Sequence, residues 1–363
     1  MAEAFRTALA IDPDPQAAAG KVAAALAQQG SGGALGFIYV TDRLKSDIAA
    51  VAETLRRGTG VPQWVGTVGF GVIAGRQATY DEPAVAAMIA PWPANAFQVY
   101  DGVPAKAFAP DAFGMATAIV HVDPRNPQLD VQLKSLAASS QAYLLGGLTA
   151  SRTRVYDRIA GERATQAVSG LFLSPEIPVS IGVSQGCSAI GPTRTITQTD
   201  DGLVAAVDGQ PALNALLDDL SAVNETDVRV ALEALHVGLP VPHSDTGDYV
   251  VRNIAGIDTN TGCIAVADNV EAGQKMFFCQ RNRNAAASDL TAMVRKVHGR
   301  TQNPRGALYV ACVARGPNMF ESANEEVGLI QSILGDIPMI GFYANGEVAG
   351  SRIYGYTGVL ALF

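Results

Sequence analysis

The chain has 363 residues, 48% of them apolar and 17% charged, with 26 basic against 34 acidic side chains for a net charge of -8. That length suggests two domains or one large one, and so low a charged fraction excludes an intrinsically disordered chain. An acidic chain without a basic run is excluded as a nucleic-acid binder or a partner for an anionic membrane surface, since both need clustered Lys and Arg.

No run approaches about 18 uninterrupted apolar residues, so no membrane insertion is expected. The N-terminus is Ala-rich but broken by Asp12, Pro13, Asp14 and Pro15, without the basic-then-apolar order of a signal peptide. Cys187, Cys263, Cys279 and Cys312 are irregularly spaced with no CxxC. They read as buried thiols of a reduced, cytoplasmic protein.

Three segments follow one plan. The first opens on ALGFIYV (Ala34 to Val40), runs through SDIAAVAETLRR to VPQWVGTVGFGVIAG, and reaches AVAAMIA (Ala84 to Ala90). The second opens on ATAIVHV (Ala116 to Val122), runs through LDVQLKSLAASS to AYLLGGLTASRT, and reaches AVSGLFL. The third opens on GALYVACV (Gly306 to Val313), runs through ANEEVGLIQSILG to IPMIGFYANGEVAG, and ends on GVLALF. From Ala34 to Gly66 is 32 residues, from Ala116 to Gly146 is 30, and from Ala307 to Gly341 is 34. Each segment reads as strand, helix, strand, Gly-rich turn, strand. Ile48, Val51 and Leu55, and likewise Val327, Ile330 and Leu334, share a helix face. Ser46 or Asp47 is expected to cap the first of these helices and Ser322 or Asn324 the last, with Gly58 and Gly335 at the C-caps.

The middle of the chain differs. The run from VSIGVSQGCSAIG to AAVDG reads as an antiparallel meander turning at Asp201-Gly202 and Asp208-Gly209. PALNALLDDLSA and ASDLTAMVRKVHG read as helices, and a hairpin is expected around Asn260-Thr261-Gly262. Val237 to Asp248 reads as a polar, Pro/Gly-rich loop. The expected fold is α/β, with repeated β-α-β-β units in two fused halves, residues 1–178 and 179–363, sheets inside and helices outside.

GTVGFGVIAG has the composition of a dinucleotide fingerprint but not its context, because the glycines follow a second strand and precede another. Those glycines are expected to allow positive-φ turns and close backbone approach, and such turns can still line a pocket. Glu347, directly after Gly346, could hold a ligand ammonium or be a solvated loop acid. Arg315, at a strand end, could fork onto a carboxylate or form a surface ion pair. Arg152 has a similar place in the second segment, where ligands of α/β units usually bind. Asn345, Tyr343, Gly147 and Gly69 complete the candidate ligand-binding set. Cys187, in a Gly/Ser setting, is the weak catalytic candidate, needing a nearby histidine. His121, inside an apolar strand, is either a hydrogen-bonded core residue or a ligand to metal or haem. His243 is the other weak metal candidate, but no zinc spacing, HExxH or CxxCH occurs.

These residues carry a family resemblance. ALYVACVARGPNMF, then EEVGLIQSILGDIPMIGFYANGEV, then YGYTGVLALF resemble the C-terminal region of FIST-domain proteins, on Cys312, Arg315, Gly316, Pro338, Gly341, Phe342, Gly346 and Glu347. ALGFIYVT and VGTVGFGVI resemble the N-terminal region, with Phe70 and Gly71 where relatives often carry polar residues. The resemblance implies a sensory protein that binds a small ligand, such as an amino acid, and signals through a separate protein. Arg315 would take the carboxylate and Glu347 the ammonium of a ligand between the halves. No cofactor is expected. The alternatives are an enzyme on a small polar substrate and a haem-based gas sensor. The oligomeric state is not legible in the sequence.

Overall fold

The computed structural model describes residues 4–44, 48–102, 116–152, 157–161, 163–165, 168–222, 235–241 and 248–363. It is a mixed α/β protein whose chain divides into two compact units, Met1–Gln185 with Ala287–Phe363, and Gly186–Ala286. Among the described residues no helix is long and apolar enough to cross a membrane.

Among the described residues the first unit holds three six-stranded sheets. In the first, Arg6–Ile11, Ala84–Ala90, Leu35–Thr41, Gln63–Gly69, Arg158–Gly161 and Arg163–Thr165 lie in that order. In the second the order is Phe97–Asp101, Ser169–Leu173, Thr117–Val122, Tyr143–Leu148, Glu347–Ala349 and Arg352–Tyr354. In the third it is Ser180–Ser184, Gly358–Leu362, Ala307–Cys312, Met339–Ala344, Gly71–Ala74 and Gln77–Tyr80. The first and second sheets each take four strands from one stretch of chain, the third takes its four from either side of the second unit in sequence, and each is completed by a hairpin from elsewhere. The hairpin after Gln63–Gly69 joins the third sheet, the one after Tyr143–Leu148 the first, and the one after Met339–Ala344 the second.

The parallel pair at the centre of each sheet is joined by a helix, Ile48–Thr59, Leu129–Ser140 or Ala323–Leu334. A glycine of the second strand faces the middle of the first in every case: Gly66 opposite Ile38, Gly146 opposite Val120 and Gly341 opposite Tyr309. A Cβ there would lie 1.6, 2.0 and 1.9 Å from the facing carbonyl oxygen. Close approach, not a turn, is therefore why Gly66 is glycine; it sits inside a strand with an ordinary φ. Gly75 is the one in GTVGFGVIAG that turns, at φ 58°.

The helix signals are met in part. Ser322 caps Ala323–Leu334 by accepting from the Glu325 N–H, and Gly335 ends it at φ 75°. Asn324 instead accepts from the Ala78 N–H, at 2.8 Å. Ser46 and Asp47 lie outside the described residues. Gly58 is not a C-cap: the helix runs to Thr59, and the Gly60 N–H closes it on the Arg56 carbonyl. Gly58 instead admits the helix Pro15–Gln28, since a Cβ there would meet the Ala23 methyl at 2.6 Å. That helix and Arg6–Ile11 were not anticipated. Yet Asp14 caps the helix, with Pro15 in its first turn, the usual N-terminal chemistry.

The second unit is antiparallel throughout its pairings. From Lys275–Arg281 the ladder passes through Arg194–Asp200, Leu203–Val207, Ile264–Val266, Tyr249–Ile257 and Leu235–Pro240, and returns to Lys275–Arg281. A ladder that closes leaves no long free edge. Asp201 and Gly202 both have positive φ, as do Asp208 and Gly209, which suits tight hairpin turns. Val237 to Pro240 belongs to a strand, not a loop; its side chains join the core beneath the helix Ala212–Ala222.

Candidate functional site

The polar residues at the end of the third segment's first strand form one buried cluster. Arg315 follows the strand Ala307–Cys312, and Glu326 projects from the first turn of the helix Ala323–Leu334. Arg315 Nε donates to Glu326 Oε1 at 2.5 Å, the Tyr309 hydroxyl donates to the same oxygen at 2.7 Å, and the Gly316 N–H donates to Oε2 at 3.0 Å. The Arg315 guanidinium also stands 5.3 Å from the centre of the Phe320 ring. Glu347 opens the crossing hairpin, with its backbone paired to Gly147 of the second sheet. Its Oε2 accepts from the Thr357 hydroxyl at 2.6 Å and the Thr357 N–H at 3.2 Å. The Cys312 thiol lies beside the same carboxyl.

Arg315, Glu326, Glu347 and Thr357 all have zero exposure. Arg315 and Glu347 were expected as polar anchors of a pocket, or as a surface pair and a loop acid; both are enclosed, which excludes the second reading. Among the described residues, four polar atoms here have no hydrogen-bond partner: both Arg315 Nη groups, Glu347 Oε1 and the Tyr343 hydroxyl. Burial opposes the Arg315 charge, but Glu326, Tyr309 and Glu347 more than offset it and hold the guanidinium protonated. Burial pushes the Glu347 carboxyl up to about 8, against the pull of Thr357 and Arg315. Burial likewise raises the Cys312 thiol and the Tyr343 phenol. The result is a fixed cation, a carboxyl that stays protonated near neutral pH, and unengaged donors and an acceptor.

The remaining candidates are placed as follows. Tyr343 belongs to this cluster, with its ring against Gly316 and edge-on to Tyr80 at 5.1 Å. Gly346 has φ 123° and accepts through its carbonyl from the Leu148 N–H. Asn345 is exposed, and its N–H donates to the Leu148 carbonyl. A Cβ on Gly147 would strike Ala344 and Val310, and one on Gly69 would crowd Phe342 and the Tyr343 carbonyl; both are packing glycines. Arg152 stands apart, bonded to Asp42 (Nη2–Oδ1 2.8 Å) and to Asp81, over the Phe70 ring.

Cys187 is not an exposed thiol. It is a free, buried thiol in the second unit, hydrogen-bonded to the free thiol of Cys279, which that hydrogen bond and burial raise. His121 is a core histidine: the Tyr39 hydroxyl is 3.0 Å from its Nε2, and Tyr39 stacks on Phe342 at 4.6 Å. Burial, then the Arg158 charge, push it down to about 3. His243 lies outside the described residues, and among the described residues no cluster of three metal-ligating side chains occurs.

Sequence reasoning missed Glu326, Tyr309 and Thr357. Glu326 was detectable: it lies four residues before Ile330, on the apolar face of its helix, where an acid needs a buried partner.

The FIST N domain model matches residues 34–210 and the FIST C domain model residues 212–350. The chain is 28% identical over 376 residues to the uncharacterized protein Rv0628c of Mycobacterium tuberculosis (strain ATCC 25618 / H37Rv), covering 97% of each chain. It is also 28% identical over 342 residues to the uncharacterized protein Mb0898c of Mycobacterium bovis (strain ATCC BAA-935 / AF2122/97), covering 89% of this chain and 87% of that one.

Proposed function

Given that the chain belongs to the FIST family, whose domains are associated with signal transduction and small-ligand sensing, we propose that it senses a small zwitterion, such as an amino acid, at the Arg315–Glu347 cluster. The supporting observation is the group of four unpartnered polar atoms on fully buried side chains. A buried polar group without a partner costs about 1–3 kcal/mol, more when charged, so four together are retained where something else engages them. Both Arg315 Nη groups are unengaged while Nε is held by Glu326. That end of the guanidinium forks onto a carboxylate. Glu347 Oε1 then receives the ligand ammonium.

Entry requires the enclosure to open, and the crossing hairpin Glu347–Tyr354 is the element that carries one wall. Its movement is the signal in this proposal, read by a separate cytoplasmic protein. The reading of the chain as repeated β-α-β-β units is supported by the common strand order of the three sheets. The proposal uses neither haem nor a catalytic step; His121 Nε2 faces the Tyr39 hydroxyl, and the Cys187 thiol is hydrogen-bonded to Cys279.

Calorimetry of the full chain against a panel of amino acids tests the proposal. An ammonium facing Glu347 favours its carboxylate, so binding below about pH 8 releases a proton. Affinity should rise about tenfold per pH unit up to that point, with heats that vary with the buffer's ionisation enthalpy. Glu347→Gln should abolish the proton release and weaken binding at least about tenfold. Binding that is independent of pH and unchanged in Glu347→Gln overturns the assignment.

A further inference from the structure

We infer that a pocket in the first unit, sharing no residue with the Arg315–Glu347 cluster, binds a small aromatic carboxylate. The pocket has a volume of about 510 Å³, within the usual range for small-molecule sites. Phe5, Trp92 and Phe363 form its floor. Trp92 meets Phe5 edge-on at 5.5 Å and Phe363 at 5.1 Å, while Phe5 and Phe363 stack at 6.1 Å. These rings come from three distant stretches of chain and are each less than a tenth exposed. Their packing fixes them, so they form a rigid apolar base on which a flat ring can lie. Ile177 lines a side of the pocket.

The rim supplies the charge. Arg300 ends the helix Arg283–Arg300, and Arg305 precedes the strand Ala307–Cys312. Both residues line the pocket, both are exposed, and neither makes an ion pair among the described residues. The short loop between them is held at both ends: the Thr301 N–H donates to the His298 carbonyl, and the Arg305 N–H donates to the Phe363 carbonyl at 2.7 Å. Asn303 takes a left-handed φ of 54° in the turn. The two cations are thus carried on a fixed frame beside an aromatic base. Glu176 is the one acidic side chain among the described lining residues, against the two arginines. An arginine pair at a rim selects a planar anion, because a guanidinium forks onto carboxylate and stacks on a π face. Arg315 and Glu347 have no part in this chemistry.

The test uses 1-anilinonaphthalene-8-sulfonate, a fluorescent aromatic anion, with the full chain. Its fluorescence should titrate to saturation at one site per chain, with energy transfer from tryptophan. The compound 2-naphthoate should displace it, and the isosteric, uncharged 2-naphthamide should do so at least tenfold less well, as expected for loss of a charge-assisted pair. Arg300→Ala with Arg305→Ala, both at exposed positions, should weaken probe and naphthoate about tenfold or more without changing the melting temperature. Glu347→Gln should leave both affinities unchanged, which separates this site from the sensory one. Displacement by naphthamide as good as by naphthoate, equal affinity in the double variant, or binding that never saturates overturns the inference.

Discussion

Arg315 and Glu326 show how a charge is kept inside this protein. Both have zero exposure, and Glu326 satisfies three donors at once. A buried pair is dear to break and of little net worth when whole. Glu326→Leu alone should therefore destabilise the chain by about 3–5 kcal/mol, because Arg315 is left charged and unpaired. Arg315→Met with Glu326→Leu should recover most of that loss. Chemical denaturation of the two single variants and the double variant checks this; simple additivity would show that the two residues act independently. Protons add a second residue-scale effect. Glu347 is raised from 4.5 to about 8, so the native state holds the extra proton between those values. Stability from this group is full below about pH 4.5 and is lost as pH rises through 8. His121 is lowered from 6.5 to about 3, so here the unfolded chain holds the extra proton. Its contribution is full above about pH 6.5 and is lost as pH falls through 3. The slopes oppose one another between pH 4.5 and 6.5, and above 6.5 only the loss from Glu347 remains. Wild-type stability should then fall by on the order of 1 kcal/mol per pH unit from 6.5 to 8. Glu347→Gln should remove that fall, and a slope that persists in the variant would place its origin elsewhere.

At the level of the element, glycines separate into those that admit a neighbour and those that do not. Gly66 and Gly341 each face a carbonyl oxygen that a Cβ would overlap, whereas Gly328, exposed on the helix Ala323–Leu334, has nothing within 4 Å. Gly66→Ala or Gly341→Ala should cost about 3 kcal/mol or more, at the upper end of overpacking. Gly328→Ala should stabilise by about 0.5–1 kcal/mol through helix propensity. Melting temperatures of the three variants give the order, and a tolerated Gly66→Ala would mean that the strand pair can separate. These glycines also mark what was legible in the sequence. Their matched spacing, with the apolar runs before and after, located the central strands of all three sheets. The Asp-Gly pairs located the turns of the second unit. What the sequence did not show was where each hairpin goes, because strand pairing across ninety residues or more leaves no local period. Glu347 reads locally as a loop acid after glycine. It is buried only because its hairpin crosses to Gly147 in another sheet. The surface-pair alternative for Arg315 failed for the same reason: its partner, Glu326, is recognisable only once the helix face is known to pack inward.

For the three-sheet unit as a whole, the exchange of hairpins should make unfolding cooperative. The first sheet needs a hairpin from the second segment, the second from the third, and the third from the first. Side chains tie the same strands: Tyr39 touches His121 and Phe342, and the Thr67 and Thr149 hydroxyls bond at 2.6 Å. No sheet can open fully without releasing a strand that belongs to its neighbour, so partial opening exposes backbone groups in two sheets at once. Native-state hydrogen exchange should therefore give one opening free energy and one denaturant slope for the slowest amides of Leu35–Thr41, Thr117–Val122 and Ala307–Cys312. Val72→Pro is the sharper probe. Val72 lies in a strand paired on both sides, to Thr79 and Phe342, where proline removes a ladder bond and clashes. The substitution directly disrupts only the third sheet. In a cooperative unit it should lower the opening free energy of all three sets of amides by the same amount. Loss of protection confined to Ala307–Cys312 and its neighbours would show instead that each sheet opens independently. A hairpin displaced by a ligand at Glu347 would then have no mechanical route to the rest of the unit.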